Sequence, residues 1–241
     1  MNTTTRLALI PILIFPALVG CESIESQDIL TSGIYADLTV ITDGDGARAQ
    51  AILRSGGATS NTFVQLTGDD DLSVSADGGE AVAMSEQNLG DIYSYTADLD
   101  EDAAGTEFTF AFTRTIDDGA PASTAVLPEP FNATGPAEDS TASRTADDIT
   151  ITWEPSGSAD DMELKVHGDC FIDLSVPIEG DPGTYVVEAG TIESPDGTAD
   201  QACDATITIM RKRSGSLDAG FGEGGVIYAA QSREIKIRMD P

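Results

Sequence analysis

Apolar residues recur at every second position in segment after segment of this 241-residue chain. That period calls for β-strands that bury one face and expose the other. The clearest case is Phe108, Phe110 and Phe112, with Thr109, Ala111 and Thr113 on the opposite parity. The same alternation runs through Ile34, Ala36, Leu38 and Val40, through Ile149, Ile151 and Trp153, and through Met162, Leu164 and Val166. It closes the chain with Ile235, Ile237 and Met239. Clusters such as Asp43-Gly44-Asp45-Gly46 supply turns between the segments. The strands expected in the first half are 34–40, 47–54, 63–66, 72–76, 80–84, 92–97, 108–112 and 124–127. Those expected in the second are 149–154, 162–166, 170–176, 185–189, 203–209 and 234–239. No segment has a sustained helical period, so the expected architecture is all-β.

The first twenty-one residues follow a different pattern. Arg6 precedes an apolar run from Leu7 to Gly20, the layout of an export signal. The run is shorter than the roughly 20 residues that span a bilayer, and Pro11 and Pro16 each remove a helical hydrogen bond. It ends in Leu18-Val19-Gly20-Cys21, which resembles the lipobox of bacterial lipoproteins. The resemblance implies cleavage before Cys21 and a lipid-modified cysteine at the new N-terminus. Residues 1–20 are then a lipoprotein signal peptide and 21–32 a lipidated tether, with acyl groups on Cys21 as the link to the membrane. One acyl chain binds marginally, at about 0.8 kcal/mol per buried CH₂, so a durable anchor needs several. Glu22 stands where an aspartate tends to retain enteric lipoproteins in the inner membrane, which implies the outer membrane and leaves open whether the chain faces the periplasm or the cell surface.

The rest of the chain is long enough for two domains. Pro128-Glu129-Pro130 cannot continue a ladder, and 130–144 is rich in Pro, Ala, Ser, Thr and acids. The domains expected are therefore 33–132 and 133–241, two tandem antiparallel β-sandwiches. The run from Asp148 to Pro155, with Trp153 closing an alternating strand, resembles a strand of fibronectin type III domains, and the fold class it implies is immunoglobulin-like. Cys170 and Cys203 remain as a pair in an oxidising compartment, where a disulfide is expected. If 170–176 and 203–209 are strands, both cysteines point inward and the bridge joins facing sheets. It differs from the immunoglobulin bridge in that Trp153 precedes both cysteines.

Candidate chemistry is sparse. The chain carries 42 acidic and 12 basic side chains, a net −30, and removal of the first twenty residues takes Arg6 alone and leaves −31. Nucleic acid and anionic membranes are poor partners for such a surface. Gly220, Gly222 and Gly225 match G-x-G-x-x-G, but no helix follows to receive a phosphate. The segment Gly215 to Gly225 resembles the G-x-L-D-x-x-F-G-x-x-G signature of delta-60 β-propeller repeats, and one copy makes no propeller. It is expected to be a hairpin connection, with Leu217 and Phe221 tucked against the sheet and glycines at positive φ. Asp43, Asp45, Asp69 to Asp71, Asp98, Asp100 and Asp102 lack the glycine and glutamate of a calcium loop and are expected to be solvated turn acids. His167 is the single histidine and falls on an outward parity with no nucleophile motif beside it. No catalytic residue, metal ligand or cofactor is expected.

Arg211, Lys212, Arg213, Arg233, Lys236 and Arg238 hold six of the eleven basic side chains that remain after the leader. They are expected either to neutralise neighbouring acids or to form a docking patch for an unknown protein or glycan. The function expected is that of a non-catalytic binding or spacer module in the cell envelope. The alternatives are an accessory subunit of an envelope or secretion complex and a hydrolase using surface carboxylates.

Overall fold

The computed structural model describes residues 22–241, so the signal run, the lipobox and Cys21 lie outside the described residues. The first half contains β1 (Glu22–Glu25), β2 (Ile34–Thr42), β3 (Ala47–Ser55), β4 (Thr62–Gln65), β5 (Asp71–Ala76), β6 (Val82–Ala83), β7 (Ser85–Leu89), β8 (Ile92–Leu99), β9 (Glu107–Thr113) and β10 (Ala120–Val126). The second contains β11 (Asn132–Gly135), β12 (Thr141–Ser143), β13 (Ile149–Glu154), β14 (Asp161–Gly168), β15 (Leu174–Ile178), β16 (Thr184–Val187), β17 (Cys203–Ser214) and β18 (Val226–Asp240). Two single-turn 3-10 helices, Ser26–Asp28 and Thr31–Gly33, join β1 to β2.

The fold is all-β and forms two sandwiches, each with its own core. Sandwich 1 encloses Ile34, Ala36, Leu38 and Leu53 from one sheet against Leu72, Val74 and the Phe108–Phe110–Phe112 face of the other. Sandwich 2 encloses Ile151 and Trp153 against Leu164, Val166, Ile207, Ile209 and Ile237. Inward residues therefore follow the alternation read from the sequence. Burying one such aliphatic or aromatic side chain contributes about 1.5–3 kcal/mol.

The sandwiches are not separate beads. One large sheet runs β1-β4-β3-β2-β18-β17-β14-β15 through both, with β12 on β18 and the β7–β8 hairpin attached through β8 to β3. Sheet β10-β9-β5-β6 covers it in sandwich 1, and β11-β13-β16 covers it in sandwich 2. The twelve-residue β17 and fifteen-residue β18 form the hairpin that both share. Ile227 and Ala229 of β18 lie in the first core, whereas Ile235, Ile237 and Met239 lie in the second. A division near residue 133 thus fails to separate the cores: Leu217, Phe221, Ile227 and Ala229 return to sandwich 1, and Phe131 already belongs to sandwich 2. The pairing is mainly antiparallel, but β1–β4, β12–β18 and β2–β18 are parallel, the last because the C-terminal strand comes back beside β2.

The connection from β17 to β18 tucks in as expected, with Phe221 buried and stacked on Phe112 at 5.9 Å between ring centroids. Its glycines are required for a different reason from the one read in the sequence. Among them Gly224 has a positive φ, +84°, but at Gly215 and Gly225 it is close approach that excludes a side chain. A Cβ there would come within 2.1 Å of Thr124 O and 2.8 Å of Ala36 O respectively.

Candidate functional site

Where the two cores meet, β17 and β18 cross under the chain that connects the sandwiches. The segment 127–131 offers carbonyls, but its two prolines offer no N–H. Side-chain donors from the hairpin satisfy those carbonyls. Arg213 donates to Leu127 O, Gln231 to Pro128 O at 3.2 Å, and Arg211 to Glu129 O at 2.8 Å and Pro130 O at 3.2 Å. Arg211 reaches further, to Pro155 O at 2.6 Å and to the Asp181 carboxylate at 2.7 Å. Both of these charged side chains are buried. Burial opposes the Asp181 charge, but hydrogen bonds from Trp153 and from Ser158 N, with the Arg211 guanidinium, outweigh it and hold the carboxyl below its ordinary range. Phe131 lies within cation–π reach of both Arg211 and Arg233, at 5.0 and 5.5 Å.

This waist corrects the reading of Arg211 as part of a surface patch. Arg211 is 1% exposed and holds the sandwiches together. Arg213 makes two hydrogen bonds to Asp160, Lys212 pairs with Glu163 at 2.7 Å, and Arg238 pairs with Asp204 at 3.2 Å. Neutralisation of neighbouring acids therefore accounts for four of the six cations. Lys236 lies exposed on the outer face beside Arg238.

On that outer face, His167, Asp139, Asp169, Asp204, Lys236 and Arg238 surround an open depression of about 410 Å³. His167 Nδ1 lies 2.9 Å from Asp173. The hydrogen bond and charge of Asp173, and then the charge of Asp169, raise the His167 pKa above its ordinary value. The raised value means that the ionic form of the pair is favoured on the acid side and is lost as pH rises through the folded pKa. An NMR titration of His167 is expected to give a midpoint above about 6.5, and Asp173→Asn to lower it.

Cys170 and Cys203 form a disulfide with Cα atoms 5.8 Å apart. The bridge does not join facing sheets. Cys170 lies in the turn after β14, and Cys203 opens β17, the neighbour of β14 in the same sheet. The expected strand over 170–176 starts only at Leu174, so Ile172 points into solvent, 54% exposed. Behind the bridge, Arg144 donates to Thr198 O, Ala199 O and Gln201 O and fixes the long loop before β17. Replacing both cysteines by serine is expected to lower stability by about 3–4 kcal/mol, read from the denaturant midpoint, since the closed loop spans 33 residues.

The opposite end of the molecule carries the junction to Cys21. Residues 22–32 are not the free tether expected from their polarity. β1 adds to β4 as a parallel strand, and Ser26 is buried and accepts a hydrogen bond from Thr67 N at 3.0 Å. Arg114, from the end of β9, donates to Ser26 O, to Ile29 O at 3.0 Å and to Thr31 Oγ1 at 2.9 Å. Its charge is met by Asp70 at 3.1 Å, with both side chains fully buried. Sequence reading missed this clamp, because Arg114 lies more than eighty residues from the segment it holds.

Among the acids weighed for calcium, Asp70 is thus spent on Arg114, Asp98 faces Arg48 at 3.6 Å, and Asp102 accepts from Gly46 N. Among the described residues no three metal-ligating side chains gather.

No protein-family model matches the chain, and no similar curated protein is found. Among solved structures, the titin domains Z1Z2 in complex with telethonin are 11% identical, with 88% of this chain and 98% of that chain covered, at a TM-score of 0.25. The chicken CNTN1 FN1-FN3 domains are 12% identical, with 85% and 64% covered, at a TM-score of 0.22. At these scores the shapes do not superpose, and the sandwich assignment rests on strand order and the two cores.

Proposed function

We propose that this chain is a lipid-anchored protein of the cell envelope, held through acyl groups on Cys21, and that it works without catalysis as a rigid spacer that presents a binding face. One observation carries the spacer reading: a single sheet runs from Glu22 at one end to the tip of β18 at the other, pinned where the cores meet by Arg211, Arg213 and Gln231. A pair of domains on a flexible linker would lack both features. β18 alone, fifteen residues at roughly 3.3 Å each, extends about 50 Å before twist shortens it. The lipobox, the apolar leader and Glu22 support outer-membrane anchoring, and the clamp on residues 22–31 supports a fixed stance over it.

Two measurements test this. Radiolabelled palmitate is expected in the wild-type protein and not in Cys21→Ser; label in both would reject the anchor. Small-angle scattering is expected to give one elongated particle whose largest dimension does not change with salt. A broad spread of dimensions would reject the spacer.

A further inference from the structure

Glu22 pairs with Thr62, Thr62 with Ser55 and Ser55 with Ile34, so these residues form one row across the large sheet. β18 enters beside Asp37 and runs away from that row toward sandwich 2. The row therefore marks the pole of sandwich 1 farthest from sandwich 2. The loop after β9 reaches the same pole, because Thr31 N donates to the Asp117 carboxylate at 2.7 Å. The β7–β8 hairpin points the same way, since β8 runs antiparallel to β3 with its first residues toward the Ser55 end.

Leu89 and Ile92, paired across that hairpin's tip, are 80% and 39% exposed, and Leu30 and Ile116, flanking the Thr31–Asp117 bond, are 64% and 56% exposed. Single exposed apolar side chains are ordinary. Here four lie on the pole where the peptide bond from Cys21 enters the fold. We propose that this pole rests on the bilayer surface, with Leu30, Leu89, Ile92 and Ile116 at the boundary between headgroups and acyl chains. The proposal rests on the lipid-anchor reading above. Cys21 precedes the first residue of a strand, and Arg114 holds the segment that follows, so no slack lets the pole stand off. Asp91, Asp117 and Asp118 lie among the four and repel anionic lipid, so the fitting surface is zwitterionic.

The test uses the chain from Cys21 onward, with the disulfide oxidised so that Cys21 is its only free thiol, coupled to a maleimide lipid in phosphatidylcholine vesicles. Leu89→Trp and Ile116→Trp each add one indole, while Trp153 stays enclosed in sandwich 2. The added indoles are expected to shift to the blue and to be quenched when the acyl chains are brominated, with Trp153 unaffected in the parent chain. Added indoles as wet and unquenched as in the uncoupled protein would overturn the proposal. Chemical coupling makes this result independent of whether cells acylate Cys21, which the palmitate label decides separately.

Discussion

Arg211→Ala is expected to lower stability by about 3–5 kcal/mol, because removing one member of a buried ion pair leaves its partner uncompensated. The side chain also carries more than the pair. Its loss strands the carbonyls of Glu129, Pro130 and Pro155 and removes a cation from Phe131. The comparison is Arg238→Ala, whose pair with Asp204 is 49% and 91% exposed and is worth at most about 1 kcal/mol. Urea denaturation of both variants checks the contrast. If Arg211→Ala costs no more than Arg238→Ala, the waist does not hold the sandwiches together. Asp181 adds a pH signature. Its depressed pKa contributes stability above the unfolded value, and that contribution is lost as pH falls through the folded one. The difference between wild type and Arg211→Ala should therefore narrow in acid.

Arg114→Ala is expected to cost a similar 3–5 kcal/mol or so, again by orphaning a fully buried carboxylate. Asp70 has little in reserve, since its Oδ1 has no hydrogen-bond partner even with Arg114 present. Here the loss should also be local. Ser26 O, Ile29 O and Thr31 Oγ1 share the one guanidinium, so removing it should release 22–33 before the sandwich itself opens. Hydrogen exchange resolves this: amides of β1 and β4 are expected to lose protection at denaturant concentrations that leave β9 protected. Uniform loss across all three strands would mean that Arg114 only supports the core. Arg114→Lys should keep the positive charge but little of the clamp, because an ammonium lacks the planar, five-donor fork with which a guanidinium reaches Ser26 O, Ile29 O, Thr31 Oγ1 and Asp70 together.

The contrast between these two arginines and the strands shows what the sequence makes visible. Alternation located the strands that lie over a core, Phe108 to Phe112 and Ile149 to Trp153 among them, since each inward position there needs an apolar side chain. It lost β17 after Ile209 and β18 before Glu234. At Arg211, Arg213 and Gln231 the strands pass from one core to the other and need donors, and the short run holding Ile227 and Ala229, which does lie over sandwich 1, was too brief to stand out. The same basic residues then looked like a docking patch. Lys and Arg spacing does not reveal whether the acceptor is solvent or a proline-rich crossing chain. β1 was hidden for a related reason, as its partner strand and its clamping arginine are set by tertiary contacts. Short exposed strands such as β7 bury nothing and leave no period to read. The disulfide partners were legible once the lipobox resemblance set Cys21 aside and left two cysteines, whereas the placement of the bridge depended on where β15 begins.

The parallel pairing of β2 with β18 has a mechanical consequence. β2, which follows the clamped N-terminal segment, and β18 lie side by side in register, from Asp37 opposite Val226 to Thr42 opposite Gln231. A load pulling the two ends of the molecule apart slides these strands lengthwise past each other. The ladder bonds then resist together in shear instead of opening one at a time as in an unzipping hairpin. Once β1 and its Arg114 clamp have given way, tension between the two ends is carried in shear along this seam inside sandwich 1, whose strength depends on the number of paired residues more than on any single bond.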